Sequence, residues 1–298
     1  MNPLLLNRFA IQCAISKPSL SYEQIGLIPT LPSVWHTPYN LMVFQGGKLH
    51  LFYTSGSYAG DNDTARYLMD GTQEYMVQDI SGSERGYQVS TDGEYIYVNN
   101  YDRRWLSKLN PETYNSVISF NSGMRRECFA NPFDKKVSVM NHNTNLKVLD
   151  ITTDSFEPIF NVGSVPFANY AIFRCAGGLS WWVNTNIYCY DEVANLTASF
   201  PYGGVGLEKS STAPYFNGVY RVQSSDRGIC HFWLEDGVIH FEQQLHIKLG
   251  LENLGTGFGT GKSWGVQVDP EDKNSLIFIS IVDGKIYRVK NLPKNSAY

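Results

Sequence analysis

The stretch GYQVSTDGEYIYVNNYDRRWLSKLNPETYNSVISF, residues 86–120, is written a second time in looser form as ECFANPFDKKVSVMNHNTNLKVLDITTDSFEPIF, residues 127–160. Both copies run through the same order. An apolar run leads to a polar corner, a strongly β-prone run and a second corner. A short strand ending in Leu-Asn or Leu-Asp follows, then a threonine-containing turn and a last apolar run. A chain built on such a unit must repeat one small antiparallel sheet, because no single copy can bury both of its faces.

The remaining copies are fainter but keep phase. The last apolar residue of the third strand falls at Leu68, Leu109, Leu149, Tyr190, Trp233 and Val289, in steps of about 41, 40, 41, 43 and 56 residues, against the ~40–45 of a four-stranded propeller blade. The runs KLHLFY (48–53), EYIYV (94–98), KVSVM (136–140), LSWWV (179–183), GVYRV (218–222) and SLIFI (275–279) read as second strands, which are buried between neighbours. Asp-Gly pairs at 70–71, 92–93, 236–237 and 283–284 stand where tight hairpins need a positive φ. No amphipathic helix pattern occurs. The expected fold is all-β, a single β-propeller of about six four-stranded blades spanning residues 1–298.

The last copy supplies SWGVQVD, SLIFISIV and KIYRVKN and then lacks a fourth strand, while NRFAIQCAI (7–15) has strand character and no local partner. Pairing of 7–15 beside 285–290 would seal the ring and remove an edge. The alternative is that residues 1–35 form an arm docking on another subunit. The long last interval holds GLENLGTGFGTGKSWG, an inserted glycine-rich loop over 250–262.

Charged residues make up only 17% of the chain and aromatics 14%, which argues against disorder. A net charge of −4 gives no general attraction to nucleic acid or anionic membranes. No apolar run reaches the ~18 residues of a spanning helix, so no membrane insertion is expected. The start MNPLLLNRFAIQCAI breaks its apolar core with polar residues; it reads as mature sequence made in the cytoplasm without a signal peptide.

Five cysteines, Cys13, Cys128, Cys175, Cys189 and Cys230, are odd in number and contain no CxxC, so buried reduced thiols are expected. His231, His240 and His246 lack zinc-site spacing, and no metal or cofactor is expected. GTGFGTGKS (255–263) has Thr256 where a P-loop requires glycine and runs on into a strand, not a helix. Asp61 and Asp63 share the D-x-D spacing of calcium loops but lack its other ligands.

VWHTPYNLMVFQGGKLHLFYTS (34–55) resembles the first-blade segment of invertase-like and arabinanase-like glycosidases, with Pro38, Gly47 and His50 to Tyr53 matching and Glu127-Cys128 similar to an acid-bearing segment. Where that resemblance requires the catalytic aspartate stands Thr37. A threonine can replace neither member of a carboxylate pair set about 5–9.5 Å apart. VSTDGEYIYVNN (89–100), with NPETYNSV after it, is similar to YVTN-type propeller repeats, best over residues 86–120. That resemblance implies a binding scaffold, not a chemistry.

In a propeller the loops entering the innermost strand and those joining the two middle strands share one face. Placed there are His36, Thr37, Arg85, Arg103, Arg104, Arg125, Arg126, Asn169, Tyr170, Lys209, Lys262 and Trp264. Arg85, Arg103, Arg104, Arg125, Arg126, Lys262 and Trp264 form the expected binding set. It is either an anion-accepting patch or a series of loop caps. The functional expectation is a non-enzymatic structural or adhesion propeller. It would be one subunit of a larger assembly such as a phage tail or fibre, with other protein subunits and an acidic glycan or carboxylate-rich surface as partners and no nucleic acid. The alternative is a carbohydrate-active propeller.

Overall fold

Short alternating runs divided by Asx-containing corners leave the chain little besides antiparallel strands, and the computed structural model contains twenty-five of them and no helix among its described residues. Those residues are 21–27, 42–54, 62–77, 86–100, 104–123, 128–131, 134–140, 145–161, 171–174, 178–183, 186–201, 212–215, 218–222, 229–242, 265–272, 275–279 and 285–290. No helix in them is long and apolar enough to cross a membrane.

The first strand, β1 (Ser21–Leu27), belongs to the last sheet. Sheet 1 consists of β2 (Met42–Gln45), β3 (Lys48–Thr54), β4 (Asn62–Leu68) and β5 (Gln73–Val77), in that order. Sheet 2 has β6 (Gly86–Thr91), β7 (Ile96–Asn100), β8 (Trp105–Leu109) and β9 (Ser116–Asn121). In sheet 3, β10 (Cys128–Asn131), β11 (Lys136–Met140) and β12 (Asn145–Asp150) are followed by an outer strand in two pieces, β13 (Ser155–Phe156) and β14 (Phe160–Asn161). Sheet 4 has β15 (Ala171–Arg174), β16 (Ser180–Val183), β17 (Asn186–Tyr190) and β18 (Leu196–Pro201). Sheet 5 has β19 (Thr212–Tyr215), β20 (Gly218–Val222), β21 (Ile229–Glu235) and β22 (Val238–Glu242). Sheet 6 runs β23 (Gly265–Val268), β24 (Leu276–Ile279), β25 (Lys285–Lys290) and then β1.

Each sheet touches the next in chain order, and β23 of sheet 6 touches β2 of sheet 1. The strand beside β25 is Ser21–Leu27, with Ser21 opposite Lys290 and Leu27 opposite Lys285. This corrects the expectation that 7–15 would fill that place; residues 7–15 themselves lie outside the described residues. SYEQIGL hides poorly as a strand in the sequence, because it has no apolar alternation and only Ile25 and Gly26 leave the surface. Its charged Glu23 instead answers Lys290 at 2.8 Å and Arg288 at 3.8 Å across the ladder. A smaller departure is in sheet 5, where β21 continues two residues beyond Trp233.

The Leu-Asn and Leu-Asp signature has a physical cause. Leu109 and Leu149 are buried at the strand end, and the next residue turns the chain with its own side chain. Asn110 Oδ1 accepts the amides of Glu112 (2.8 Å) and Thr113 (3.2 Å). Asp150 Oδ1 accepts that of Thr152 (2.9 Å), and Asp191 Oδ1 those of Val193 (3.0 Å) and Asn195 (2.8 Å). Such Asx turns leave one residue in the left-handed region; here these are Tyr114 (φ 58°), Asp154 (φ 50°) and Ala194 (φ 69°). The hairpins between first and second strands use the same device at Asp92, Asp134 and Asp269.

Apolar side chains fill the seams between sheets. Val43 and Phe52 of sheet 1 meet Val89, Ile96, Leu109 and Tyr114 of sheet 2. Tyr97, Leu106 and Phe120 of sheet 2 meet Cys128, Ala130, Val137, Val139 and Leu149 of sheet 3. Trp181, Ile187 and Cys189 of sheet 4 join Phe129 of sheet 3 with Phe232 and Ile239 of sheet 5. Each fully buried large side chain contributes about 1.5–3 kcal/mol, so the seams, not the lone sheets, carry the stability. Cys128, Cys189 and Cys230 are buried, and burial pushes the Cys189 thiol up to about 12.

Candidate functional site

In sheets 1 to 5 the turn between first and second strands and the turn between third and fourth leave at the same end. The loops at the opposite end lie largely outside the described residues. Arg85, Arg103, Arg125, Arg126, Lys262 and Trp264 therefore lie outside them, as do His36, Thr37, Asn169, Tyr170, Lys209, Asp61, Glu127 and the loop 250–262. Arg104 alone of the expected set is described. It opens β8 with a left-handed φ of 60° and an exposed side chain. Its carbonyl accepts Ser122 Oγ (2.7 Å) and Gly123 N (3.1 Å), which ties the entrance of β8 to the end of β9.

The hairpin end carries polar residues that the sequence reading passed over. Gln267 on β23 faces the peptide of Phe44 on β2: its Oε1 accepts Phe44 N and its Nε2 donates to Phe44 O, each at 2.7 Å. An amide side chain thus imitates a strand partner and joins the innermost strands of sheets 6 and 1. Gln45 continues the chain of bonds into sheet 2, donating to Glu94 O (2.8 Å) and accepting Thr91 Oγ1. Ala130 N donates to Ser90 Oγ, linking sheet 2 to sheet 3.

Asp92 accepts Glu94 N (2.8 Å), Tyr95 N (2.7 Å) and Tyr97 Oη (3.0 Å), and burial together with the Asp92 charge raises the Tyr97 phenol above its ordinary range. The fully buried Asp269 accepts Glu271 N and holds Arg288 Nε at 2.6 Å. Gly93 at φ 89° sits so close to Pro270 that an added Cβ would lie 3.1 Å from the proline Cβ. The hairpins of sheets 2 and 6 therefore meet.

The seam between sheets 1 and 2 holds a cation cluster. Arg66 is buried; its Nε donates to Glu74 Oε2 (2.7 Å) and its Nη1 to the carbonyls of Pro111 (2.8 Å) and Glu112 (2.9 Å) in the neighbouring sheet's corner. Lys48 adds contacts to Glu74 (3.0 Å) and Glu112 (3.6 Å), and the bonds from Lys48 and then Arg66 hold the Glu74 carboxyl below the usual carboxylate range. Lys108, in the next sheet, repeats the reach with a contact to Asp154 at 3.5 Å and its ammonium 4.3 Å from the centre of the Tyr95 ring. His50 lies in the same seam with Nδ1 2.9 Å from Tyr114 Oη and Nε2 3.4 Å from Gln45 O. Burial, reinforced by Arg66 and Lys48, depresses its imidazole to about 4.

On sheet 5, Trp233 stacks between His231 (4.6 Å) and His240 (5.2 Å), and burial depresses His231 to about 3. Among the described residues no group of three metal-ligating side chains converges.

The chain matches no protein-family model and no curated protein. Its backbone is similar to a chain in the crystal structure of a mitotic checkpoint complex. The TM-score is 0.52 and the identity 7%, over 85% of this chain and 77% of that one. It is also similar to a structural-genomics protein of unknown function from Bacteroides thetaiotaomicron VPI-5482, with TM-score 0.53 and 7% identity over 91% and 76% of the two chains. The fold is a β-propeller. At this identity the likeness is one of fold alone, and the propeller's task has to be argued from its own side chains.

Hints of the hairpin-end network were present in sequence: each copy places Asp, Asn or Gln at a strand end. Those residues read as turn formers because sequence cannot tell which turns of different copies touch.

Proposed function

We propose that this propeller is a non-catalytic protein-interaction scaffold. The observation that carries the reading is how the described polar side chains are spent. Asp92 and Asp269 are committed to turns and to Tyr97 and Arg288. Arg66 ties two sheets together, and His50 and His231 are buried as neutral rings. General acid–base work needs a group within reach of substrate and with a proton to exchange near working pH; these groups serve rigidity instead. A rigid scaffold with preset turns suits recognition, since little ordering entropy remains to oppose binding.

The narrower reading, a subunit of a phage tail or fibre, rests on the Asn-, Tyr- and Gly-rich composition alone. An acidic glycan as partner rests on the arginine set around Arg104. The deciding experiment is affinity capture with the purified chain, followed by a turnover screen on furanosides and pyranosides. A stoichiometric protein partner with no turnover is the expected result. Hydrolysis abolished by changing a single Asp or Glu would overturn the reading.

A further inference from the structure

We infer that the outer corners of sheets 2 to 5 form one docking surface for a basic, amphipathic segment of a partner protein. The inference rests on the interaction reading above and adds to it a face and a partner chemistry. Val117, Ile159, Val193, Leu196 and Val238 are between 54% and 71% exposed. Singly exposed aliphatics are ordinary on any surface. What sets these apart is that all lie on the outer strand or the turn into it in four consecutive sheets: Val117, Val193, Leu196 and Val238 at the turn, and Ile159 farther along, in the break between β13 and β14.

The charge of these corners has one sign. Segments 110–117, 150–159, 191–196 and 235–238 contain eight carboxylates and no lysine or arginine. Three of the eight are answered from neighbouring strands: Glu112 by Arg66, Asp154 by Lys108 and Glu157 by Lys136. Glu192 and Asp236 pair with no described cation. The position-matched corner of sheet 1 is different, because Leu27 N donates to Met69 O (2.9 Å) and β1 covers it. The arc thus ends where the chain itself occupies the place. Negative sign disfavours nucleic acid and anionic lipid, whereas aliphatics set among carboxylates complement apolar residues flanked by lysine or arginine.

Outer strands offer a second route, addition of a partner strand, and the bulges oppose it. β5, β9 and β18 each shift register beside the corner, at Glu74, Val117 and Thr197, and the outer strand of sheet 3 is interrupted over 157–159. A bulge twists an edge and spoils its ladder. It also pushes Val117 outward, so the partner is gripped by side chains. The turns that carry them are preset by Asn110, Asp150 and Asp191.

The test uses the full chain and a fluorescein-labelled 14-residue peptide of Leu and Lys at helical spacing, read by anisotropy. The same spacing in Leu and Glu, and a Lys-only peptide, serve as comparisons. Saturable binding of the Leu/Lys peptide is expected, with the Lys-only peptide at least about tenfold weaker and the Leu/Glu peptide silent. Val193→Ser with Leu196→Ser, and separately Val238→Ser, should each weaken binding about tenfold. Glu192→Lys with Asp236→Lys should weaken it most at low salt. Asn121→Ala, at the other end of β9, should leave it unchanged. Unchanged affinity in the corner variants, with melting temperatures equal to the parent's, overturns the inference, as does equal binding of the Leu/Glu peptide. If the corners are silent while a captured protein partner is lost on Arg104→Glu, the inference falls and the interaction reading stands. Carboxylate-dependent hydrolysis with no protein captured removes the reading itself.

Discussion

His50 Nδ1 and the Tyr114 hydroxyl are 2.9 Å apart, and their bond crosses from the second strand of sheet 1 to the outer corner of sheet 2. Tyr114 reaches that place because Asn110 turns the corner and sets Tyr114 at φ 58°. The contact couples a local turn, a seam between sheets and a titratable ring.

Acid should weaken this seam first. The folded-state imidazole sits near 4, below the ordinary 6.5 of a histidine, so the unfolded chain takes up the proton at higher pH than the folded one. Stability from this site is complete above about pH 6.5 and is lost as pH falls toward 4, up to about 3 kcal/mol. Urea titrations at pH 7 and pH 4.5 should show that loss reduced in His50→Asn. An equal loss in parent and variant would assign the acid sensitivity elsewhere, His231 being the next group to change.

Arg66 and Lys108 occupy analogous places yet should differ in weight. Arg66→Met removes three close bonds from a buried guanidinium and should cost about 2–4 kcal/mol. Lys108→Met loses a 3.5 Å contact to a half-exposed carboxylate and a cation–π contact to Tyr95, together worth about 1–2 kcal/mol. Arg66→Lys should not rescue, since an ammonium cannot serve Glu74 and two carbonyls in one plane. Denaturant midpoints of the three variants check the order.

Gln267→Leu should expose a weakness at one place. It leaves the amide and carbonyl of Phe44 without their partner, at about 1–3 kcal/mol for each buried group left unsatisfied. Hydrogen exchange at Phe44 should accelerate more than at Ile96 of sheet 2. Uniform acceleration across the sheets would show that Gln267 supports the whole molecule and not the junction of sheets 6 and 1.

Gly26 is where β1 passes closest to sheet 1; a Cβ there would lie 2.9 Å from Met69 Sδ and 3.1 Å from its carbonyl oxygen. Gly26→Val should push β1 from the Met69 corner and cost about 1–3 kcal/mol. A Gly26→Val protein that melts with the parent would mean that the corner yields freely.

The strand pattern was legible in sequence to within about two residues. Leu68, Leu109, Leu149, Tyr190 and Val289 all lie in third strands, and the six runs from KLHLFY to SLIFI are the second strands. Both are local properties: a buried strand between two corners shows itself in a window of ten residues. β1 was misplaced because its partner is some 260 residues away in sequence and its own pattern is polar. The Gln267–Phe44 and Gly93–Pro270 contacts were illegible for the same reason, since they join turns of different copies. Cations at loop positions stand out in the sequence, whereas Arg66 and Lys108 are hidden mid-strand, yet each bridges two sheets in the described structure.

The pairing of β1 with β25 also decides how the molecule responds to being pulled. Ser21 stands opposite Lys290, so the chain runs on from both strands at the same end of their ladder. Tension applied through the two termini does not shear that ladder, where all its bonds would resist together. It opens the ladder like a zip, one pair at a time, starting with the Lys290–Glu23 contact and travelling toward Leu27. A load carried through the ends would therefore detach β1 at low force and uncover the Met69 corner of sheet 1, while the seams between the other sheets stayed closed.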